Sequence, residues 1–295
     1  MNQSIVMIVR PGVAEEALAA LGAEAERLRA AGSRVELRTT AEPGDGERLA
    51  RAAADAGAQL IIAAGGDGTL NEVVNGLASA SCRPRLAVVP LGTANDFANG
   101  LGIPSDVGGA LSIALEGRPL DVDLPMVNDR YFINVSTGGF GAEATEQAPA
   151  ESKRMLGAWA YLVTGAKQFA DLRPVTGTIE AEGRVAHRGA FLLFAVGNAR
   201  QTGGGSLLTP RAELNDGLLD LLVVRAVPRL DFLALLPDLR AGTHLESPDI
   251  VYAQTSSIVI RSDEEISVNA DGEPMRGTEF RYRIGERPLV VMAPA

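Results

Sequence analysis

The sequence predicts an α/β domain followed by an all-β domain. Over roughly the first 120 of its 295 residues, short apolar runs alternate with amphipathic helical segments, as in a parallel α/β sheet. Beyond that point, short strands follow one another with Gly- and Asp-rich turns between them, which is typical of a mostly antiparallel sandwich. A chain of this length is ample for two cores. We place the boundary near Leu120–Pro125 and expect an active cleft between the two domains.

In the first domain, strands and helices are predicted in alternation. Short β-branched or apolar runs indicate the strands, and alanine and leucine at helical spacing indicate the helices. The predicted strands cover Ser4–Val9, Val35–Thr39, Leu60–Ala63 and Leu86–Pro90. The predicted helices cover Ala14–Ala31, Gly46–Ala56, a segment from Thr69 to Ala78, a short segment ending at Gly102, and Asp106–Glu116.

The turn after the third strand is the first candidate binding site. Gly65, Gly66 and Gly68 leave Asp67 as the only residue with a side chain between that strand and Thr69. Such a turn can adopt positive φ and lets a ligand approach the backbone closely. The helix that follows would present free N–H groups and the positive end of its dipole, which suit a phosphate group. An acidic residue that faces phosphates implies Mg²⁺ between them.

Both turns at the carboxyl ends of the third and fourth strands carry a helix-capping pattern. Thr69 with Glu72 forms a predicted capping box, and Thr93 with Asp96 repeats the N-cap arrangement after Pro90. Because parallel sheets bind ligands at the carboxyl ends of their strands, we expect the two turns to border one cleft.

Composition excludes several classes of protein. The formal net charge of −10 argues against binding along a nucleic-acid backbone and against general adhesion to anionic membranes. Cys82 is the only cysteine, which fits the cytosol and excludes an internal disulfide and cysteine-rich metal sites. No run of about 18 apolar residues indicates a transmembrane helix. We therefore expect a cytoplasmic protein that binds no nucleic acid.

The second domain is predicted to consist mainly of strands. They cover Leu120–Val127, Tyr131–Ser136, Val175–Glu182, His187–Gly197, Leu218–Arg225, Thr255–Arg261, Ile266–Asn269, Glu279–Ile284 and Leu289–Met292. Helices are predicted over residues 151–171 and over Pro228–Arg240. His187 and His244, the only histidines, are assigned to packing or to the surface rather than to catalysis.

Several polar motifs become specific only when they are taken together. Singly, Asn215-Asp216-Gly217 and Asp271-Gly272-Glu273 are typical of hairpin turns. In order along the chain, six segments resemble the bacterial diacylglycerol-kinase-like lipid kinases, most closely the YegS type. They are GGDGTLNEV, PLGTANDFA, NVSTGGFGAE at Asn134–Glu143, GNARQTGGG at Gly197–Gly205, LNDGLLDL and NADGEP. NAD kinases share GGDGT, whereas PLGTANDFA points to the lipid branch.

The resemblance implies a doubly wound α/β nucleotide-binding domain of the NAD kinase and diacylglycerol kinase type, with a C-terminal β-sandwich domain. The ATP-binding domain would comprise residues 1–122 with about 286–295, because the family's C-terminal strand returns to it, and residues 123–285 would form the lipid-substrate domain. The implied reaction is Mg²⁺-dependent transfer of the γ-phosphoryl of ATP to a lipid hydroxyl, of phosphatidylglycerol or diacylglycerol, in phospholipid metabolism. Such an enzyme would be cytoplasmic and would touch the membrane surface peripherally.

Carried over onto this chain, the resemblance implies three groups of site residues. The nucleotide group comprises Thr40, Gly65, Gly66, Asp67, Gly68, Thr69, Asn71, Glu72, Thr93, Asn95 and Asp96, with Asp67 and Asp96 facing the Mg²⁺-triphosphate. The catalytic group is Asp271, as the base for the lipid hydroxyl, with Glu273 beside it. The metal group, for a structural Mg²⁺ or Ca²⁺, comprises Asp216, the backbone carbonyls of Glu213 and Leu218, and Asp123, which would link the ion's region to the active site.

One difference from the family and two alternatives stay open. Many relatives carry an asparagine near the end of the first strand, where this chain has Arg10-Pro11-Gly12. The first alternative is an NAD kinase, which would phosphorylate a soluble nucleotide. The second is a sensor that binds a nucleotide or a metal without turnover. The sequence does not fix the lipid acceptor, nor whether the chain forms a homodimer.

Overall fold

The computed structural model describes residues 3–141 and 173–295, and the chain divides into two compact units. The first unit comprises Met1–Val122 and Arg287–Ala295, and the second comprises Asp123–Glu286. The helix predicted over residues 151–171 lies outside the described residues.

The first unit is built on a six-stranded sheet with five helices among its described residues. Its strands are β1 (Ser4–Val9), β2 (Arg34–Thr39), β3 (Leu60–Gly65), β4 (Arg85–Pro90), β5 (Arg118–Val122) and β15 (Leu289–Ala293). Its helices are α1 (Glu15–Ala30), α2 (Asp45–Asp55), α3 (Asp67–Ala78), α4 (Asp96–Gly100) and α5 (Val107–Glu116).

The strand order in this sheet is β2-β1-β3-β4-β15-β5. Strands β1 to β4 pair in parallel, β15 is parallel to β4, and β5 is antiparallel to β15. Every residue of β3 is buried, as expected for a central strand covered on both faces. The predicted α/β architecture is confirmed, and β15 joins this sheet as the resemblance implies.

The second unit is mostly β-structure. Its strands are β6 (Pro125–Val127), β7 (Arg130–Tyr131), β8 (Val135–Gly141), β9 (Val175–Ala181), β10 (Arg184–Gly197), β11 (Leu219–Arg225), β12 (Ile250–Thr255), β13 (Ser257–Ala270) and β14 (Glu273–Ile284). Helix α6 (Arg229–Ala241) and a short 3₁₀ turn, His244–Glu246, follow β11.

Two long strands of 14 residues each, β10 and β13, organise this unit. Part of each pairs with β9 and the remainder with β8, and all these pairings are antiparallel. Side chains from both parts share one core, which contains Phe132 and Tyr282 in an edge-to-face contact with ring centroids 6.1 Å apart. Helix α6 covers a second core with Phe232 and Leu239.

Several strand boundaries differ from the prediction. Thr255–Arg261 and Ile266–Asn269 were predicted as two strands. Thr255 instead ends β12, whereas Ser257–Arg261 and Ile266–Asn269 both belong to β13, because the polar residues between them lie in a stretch where the pairing register shifts. Leu120–Val127 was predicted as one strand and is instead split between β5 and β6, which lie in different sheets. Strand β12 was not predicted.

Both predicted helix caps are wrong. Helix α3 begins at Asp67, with Gly66 as its N-cap, so Thr69 lies inside the helix. The Glu72 carboxylate accepts hydrogen bonds from the Gly44 and Gly46 N–H groups, at 2.9 and 2.8 Å, instead of forming a capping box. At α4 the N-cap is Asn95, in the left-handed conformation with φ 51°, and not Thr93.

Both histidines are buried, which gives the stability a predicted pH dependence. Burial lowers the pKa of His187 below its ordinary 6.5, helped by the nearby charge of Arg225, and burial also lowers the pKa of His244. Between the folded pKa values and 6.5 the unfolded chain binds more protons, so stability is lost as the pH falls through that window.

Chemical denaturation at pH 7.5 and pH 5 checks this expectation. His187→Gln cannot be protonated, so its stability should fall less between the two pH values than that of the wild type. Adding His244→Gln should reduce the pH dependence further. An equal fall in the wild type and the double variant would show that the histidines contribute nothing.

Candidate active site

Two glycine loops of the first unit are in backbone contact. The loop after β3 and the loop after β4 are joined by a hydrogen bond of 2.8 Å from the Leu91 N–H to the Gly65 carbonyl. A Cβ atom on Gly92 would lie 2.5 Å from the Gly66 Cα, and one on Gly66 would lie 3.1 Å from the Gly92 Cα. The two turns are therefore neighbours in the first unit, as they must be if they border one cleft.

Asn95 holds the second loop in shape. Its Oδ1 accepts a hydrogen bond from the Gly92 N–H at 3.0 Å, and its Nδ2 donates one to the Gly92 carbonyl at 3.0 Å. Asparagine tolerates the left-handed backbone conformation that this position adopts. Thr93, between these residues, is exposed.

Asp67 and Asp96 stand at the starts of α3 and α4 and are electrostatically coupled. Burial raises the pKa of Asp67, and the negative charge of Asp96 raises it further. The Phe97 N–H donates to Asp67 Oδ1 at 3.4 Å, and Asp96 is only 4% exposed. Two repelling carboxylates offer the hard oxygen ligands that Mg²⁺ prefers.

The start of α3 suits a phosphate group. No side chain caps its N-terminus, and the N-cap position is a glycine. A Cβ on Gly68 would meet nothing within 4 Å, so the backbone there is open to a ligand. The carboxylates of Asp67 and Asp96 beside these donors thus fit a Mg²⁺-triphosphate.

Three other residues predicted to bind the nucleotide form hydrogen bonds within the first unit. Thr40 lies at the carboxyl end of β2, where its N–H donates to the Val9 carbonyl at 2.9 Å. Asn71 is buried on α3 and accepts hydrogen bonds from Asn75 through its carbonyl and its side chain. Glu72 is turned toward the start of α2, so its carboxylate stabilises the contact between α2 and α3.

The Asp67–Asp96 pair gives a prediction about stability. Asp67→Asn should raise the melting temperature of the nucleotide-free protein at pH 8 by about 2–4 °C, because it removes a carboxylate whose raised pKa makes its ionised form unfavourable in the fold. Mg²⁺ with ATP should stabilise the wild type more than the variant. Thermal denaturation with and without Mg²⁺-ATP measures both effects.

Asp55→Asn is the matched control for this experiment. Hydrogen bonds from the Ser81 hydroxyl and N–H lower the pKa of Asp55, so its ionised form is favoured in the fold. That substitution should not raise the melting temperature. An Asp67→Asn protein that is no more stable than the wild type, and that responds equally to Mg²⁺-ATP, would contradict the assignment.

In the second unit, Asp271 lies in a hairpin turn. Ala270 of β13 pairs with Glu273 of β14, which leaves Asp271 and Gly272 as a two-residue turn with φ values of 49° and 98°. Positive φ at both positions is the requirement of a type I′ turn. The hairpin interpretation of this motif is therefore confirmed. Glu273 begins β14 and is exposed.

The carboxylate of Asp271 is held by the segment that leads into β8. The N–H groups of Ile133, Asn134 and Val135 all donate to it, at distances between 2.5 and 3.2 Å. Three backbone donors stabilise a carboxylate in its charged form and fix its orientation. The turn and the segment 133–135 together form a defined polar site.

The residues predicted to hold a structural ion surround the loop before β11. Asp123 Oδ2 accepts a hydrogen bond from the Gly217 N–H at 2.7 Å, and Asp216 Oδ1 accepts one from the Leu218 N–H at 2.9 Å. Burial raises the pKa of Asp123, and the charge of Asp216 raises it further. Within residues 3–141 and 173–295, no three His, Cys, Asp or Glu side chains form a metal-binding group. An ion here would need backbone carbonyls as well as these two carboxylates, as the prediction for Glu213 and Leu218 assumes.

Sequence reasoning missed the polar side chains around these two groups. Asp220 is 1% exposed, accepts a hydrogen bond from the Tyr252 hydroxyl, and has a pKa raised chiefly by burial. Asn134, within the segment that binds Asp271, and Asn198, hydrogen-bonded to that segment, are also buried. Their partners are 32 or more residues away along the chain, so local spacing gave no signal for them.

Comparisons with known proteins assign the class. The family model described as "Diacylglycerol kinase catalytic domain" matches residues 6–127, and the model "YegS C-terminal NAD kinase beta sandwich-like domain" matches residues 134–292. The α/β unit with its paired glycine loops, followed by the β-rich unit, thus defines a kinase of the diacylglycerol kinase class.

Individual relatives narrow this class. The chain is 42% identical over 271 residues to a "Probable lipid kinase YegS-like" of Chromohalobacter salexigens, with 91% of this chain and 86% of the relative covered. It is 37% identical over 249 residues to a diacylglycerol kinase of Bacillus subtilis, with 84% and 82% covered. A crystal structure of a diacylglycerol kinase from Bacillus anthracis superimposes with a TM-score of 0.77 at 25% identity, covering 99% of this chain and 97% of that one. The chain belongs to the family of YegS-like lipid kinases.

In the part of the chain that the structure describes, no helix has the length and apolar character needed to cross a bilayer.

Proposed function

We propose that the protein transfers the γ-phosphoryl group of ATP to the hydroxyl of a membrane lipid, in a reaction that depends on Mg²⁺. The observation that carries this proposal is the contact between Gly66 and Gly92, with the coupled carboxylates of Asp67 and Asp96 at the helix starts that follow. Phosphoryl transfer needs positioning and charge neutralisation more than covalent help from the protein, and these loops offer both.

The proposed division of labour uses residues of both units. The N–H groups at the start of α3 would bind phosphate oxygens, and Asp67 with Asp96 would hold Mg²⁺, which would neutralise charge on the triphosphate. The lipid hydroxyl oxygen would form a bond to the γ-phosphorus while the bond to the leaving ADP oxygen breaks. Asp271 would accept the hydroxyl proton. A loose transition state needs only a weak base. A carboxylate that already accepts hydrogen bonds from three N–H donors is such a base.

Relatives support a lipid as the acceptor. Those most similar to this chain include proteins described as lipid kinases and as a diacylglycerol kinase. We propose phosphatidylglycerol or diacylglycerol as the acceptor, reached by peripheral contact of a cytoplasmic protein with the membrane. Asp123 and Asp216 would hold a separate structural Mg²⁺ or Ca²⁺, since the Asp123 carboxylate accepts a hydrogen bond from Gly217, the residue after Asp216, and the charge of Asp216 adds to the effect of burial in raising the pKa of Asp123.

A labelled-phosphate assay tests the proposal directly. The protein is incubated with γ-labelled ATP and Mg²⁺, with vesicles that contain phosphatidylglycerol or diacylglycerol, or with NAD. Label in one lipid, lost when EDTA is added, is the expected result, and the mass of the product identifies the acceptor. Label in NADP instead would support the NAD kinase alternative. ATP binding without any labelled product would support the sensor.

A further inference from the structure

We propose that Asn198 is a positioning residue for Asp271, because it fixes the segment Ile133–Val135 to which the Asp271 carboxylate binds and joins that segment to the backbone of Asp123. The inference rests on the proposed function, in which Asp271 accepts the hydroxyl proton. Asn198 follows β10 and is fully buried.

The segment 133–135 is held from two sides. On one side its three N–H groups donate to the Asp271 carboxylate. On the other side Asn198 donates to two of its three carbonyl groups: the Asn198 side-chain amide donates to the Ile133 carbonyl at 2.9 Å, and the Asn198 backbone N–H donates to the Asn134 carbonyl at 2.9 Å. The position of the Asp271 carboxylate therefore depends on where Asn198 places the segment.

The same side chain reaches Asp123. Asn198 Nδ2 also donates to the Asp123 carbonyl at 3.0 Å, so one amide group bonds the backbones of two segments that are ten residues apart in sequence. Both partners of Nδ2 are carbonyl oxygens, which fixes the orientation of the amide. Asp123 in turn accepts the Gly217 N–H through its carboxylate. A continuous series of hydrogen bonds thus runs from the loop proposed to hold an ion, through Asn198, to Asp271.

The side-chain oxygen of Asn198 gives a further reason to assign Asn198 a positioning role. Asn198 Oδ1 is buried and has no hydrogen-bond partner among residues 3–141 and 173–295. Burying an acceptor without a partner is unfavourable, so general packing does not explain an asparagine at this position. Its two N–H donors, and the two carbonyls that they join, do explain it.

Asn198→Ala tests the inference, with Thr209→Val as the matched control. Thr209 is also fully buried and donates to the Ala199 carbonyl at 2.7 Å, so its replacement removes a buried hydrogen bond from the same loop. It removes no hydrogen bond made to the segment 133–135 itself, including that from the Ala199 N–H to the Asn134 carbonyl at 3.1 Å. Asn198→Ala should lower kcat for lipid phosphorylation by about 10- to 100-fold with the KM for ATP unchanged, as for other residues that orient a catalytic group. Thr209→Val should keep kcat within about threefold of the wild type, since it removes only one hydrogen bond away from the reacting groups.

Hydrogen exchange provides a second measurement that does not depend on activity. Amides in a peptide covering residues 131–137 should exchange faster in Asn198→Ala than in the wild type, and at the wild-type rate in Thr209→Val. Asn198→Ser, which retains one donor, is the reserve variant should the alanine protein not fold, and an intermediate effect is expected for it.

Unchanged exchange in this peptide, or an equal loss of kcat in Asn198→Ala and Thr209→Val, would overturn the inference. A wild-type protein that phosphorylates no lipid would instead remove the proposed function. The exchange measurement would then still decide whether Asn198 fixes the segment.

Discussion

Replacing Asp271 with asparagine is expected to lower kcat for lipid phosphorylation by about 10²- to 10⁴-fold, the usual range for loss of a general base. An amide cannot accept the hydroxyl proton. Asparagine adopts the left-handed conformation of this turn position at little energetic cost, so the hairpin itself should persist. Steady-state kinetics with lipid vesicles and ATP measure the effect, and the KM for ATP should change little.

A second turn of the same unit provides the control. Glu182 and Gly183 connect β9 to β10 as a two-residue turn with φ values of 49° and 74°, and the Glu182 carboxylate accepts hydrogen bonds from the N–H and hydroxyl of Ser256. Glu182→Gln makes the same change from carboxylate to amide at an equivalent turn position. It should leave kcat within about twofold, because no reacting group is involved. Full activity of Asp271→Asn would show that Asp271 is not the base.

Gly92→Ala should reduce phosphoryl transfer by at least about 100-fold, because a displacement of reacting groups by about 1 Å can have that effect. The added Cβ would lie 2.5 Å from the Gly66 Cα and 2.7 Å from Asn95 Oδ1. Neither neighbour can move away without a large energetic cost, since the Gly66 Cα is backbone and the Asn95 side chain holds the loop through two hydrogen bonds. The two loops must therefore separate, and the carboxylates at the helix starts that follow them should move with them.

Gly100→Ala is the matched control for this substitution. Gly100 ends α4, a few residues along the same segment, and a Cβ there would meet nothing within 4 Å. Alanine also has the higher helix propensity, so this variant should be at least as stable as the wild type and fully active. Comparison of kcat and melting temperature for the two variants separates steric effects at the loop contact from any general effect of losing a glycine. Wild-type activity in Gly92→Ala would show that the loop contact is not required.

The sequence predicted those features that local patterns encode. The apolar run Leu60–Ala63 followed by three glycines predicted the buried central strand and a glycine turn after it, although none of Gly65, Gly66 and Gly68 adopts positive φ and only Gly68 has open space where a Cβ would lie. The pair Asp271-Gly272 indicated a hairpin because few other residues accept positive φ at both turn positions.

Local patterns failed where distant residues compete. Thr69 and Glu72 have the spacing of a capping box, but Glu72 is drawn to N–H groups 26 and 28 residues away, and the helix starts at Asp67 without a side-chain cap. The absence of a cap leaves donors for a ligand, so this misprediction coincides with the candidate site. The partners of the Asp271 carboxylate are 136 to 138 residues distant, which no spacing rule could supply.

The position of β15 in the sheet has a consequence for how the chain folds during translation. The sheet of the first unit needs residues 289–293 between β4 and β5, yet residues 123–286 are synthesised before them. During translation the second unit can complete its own fold while the first still lacks an interior strand, so β4 and β5 stay without their shared neighbour until synthesis has passed residue 293. Nascent chains arrested before that point should be cut by protease within the first 122 residues and resist it within residues 173–286.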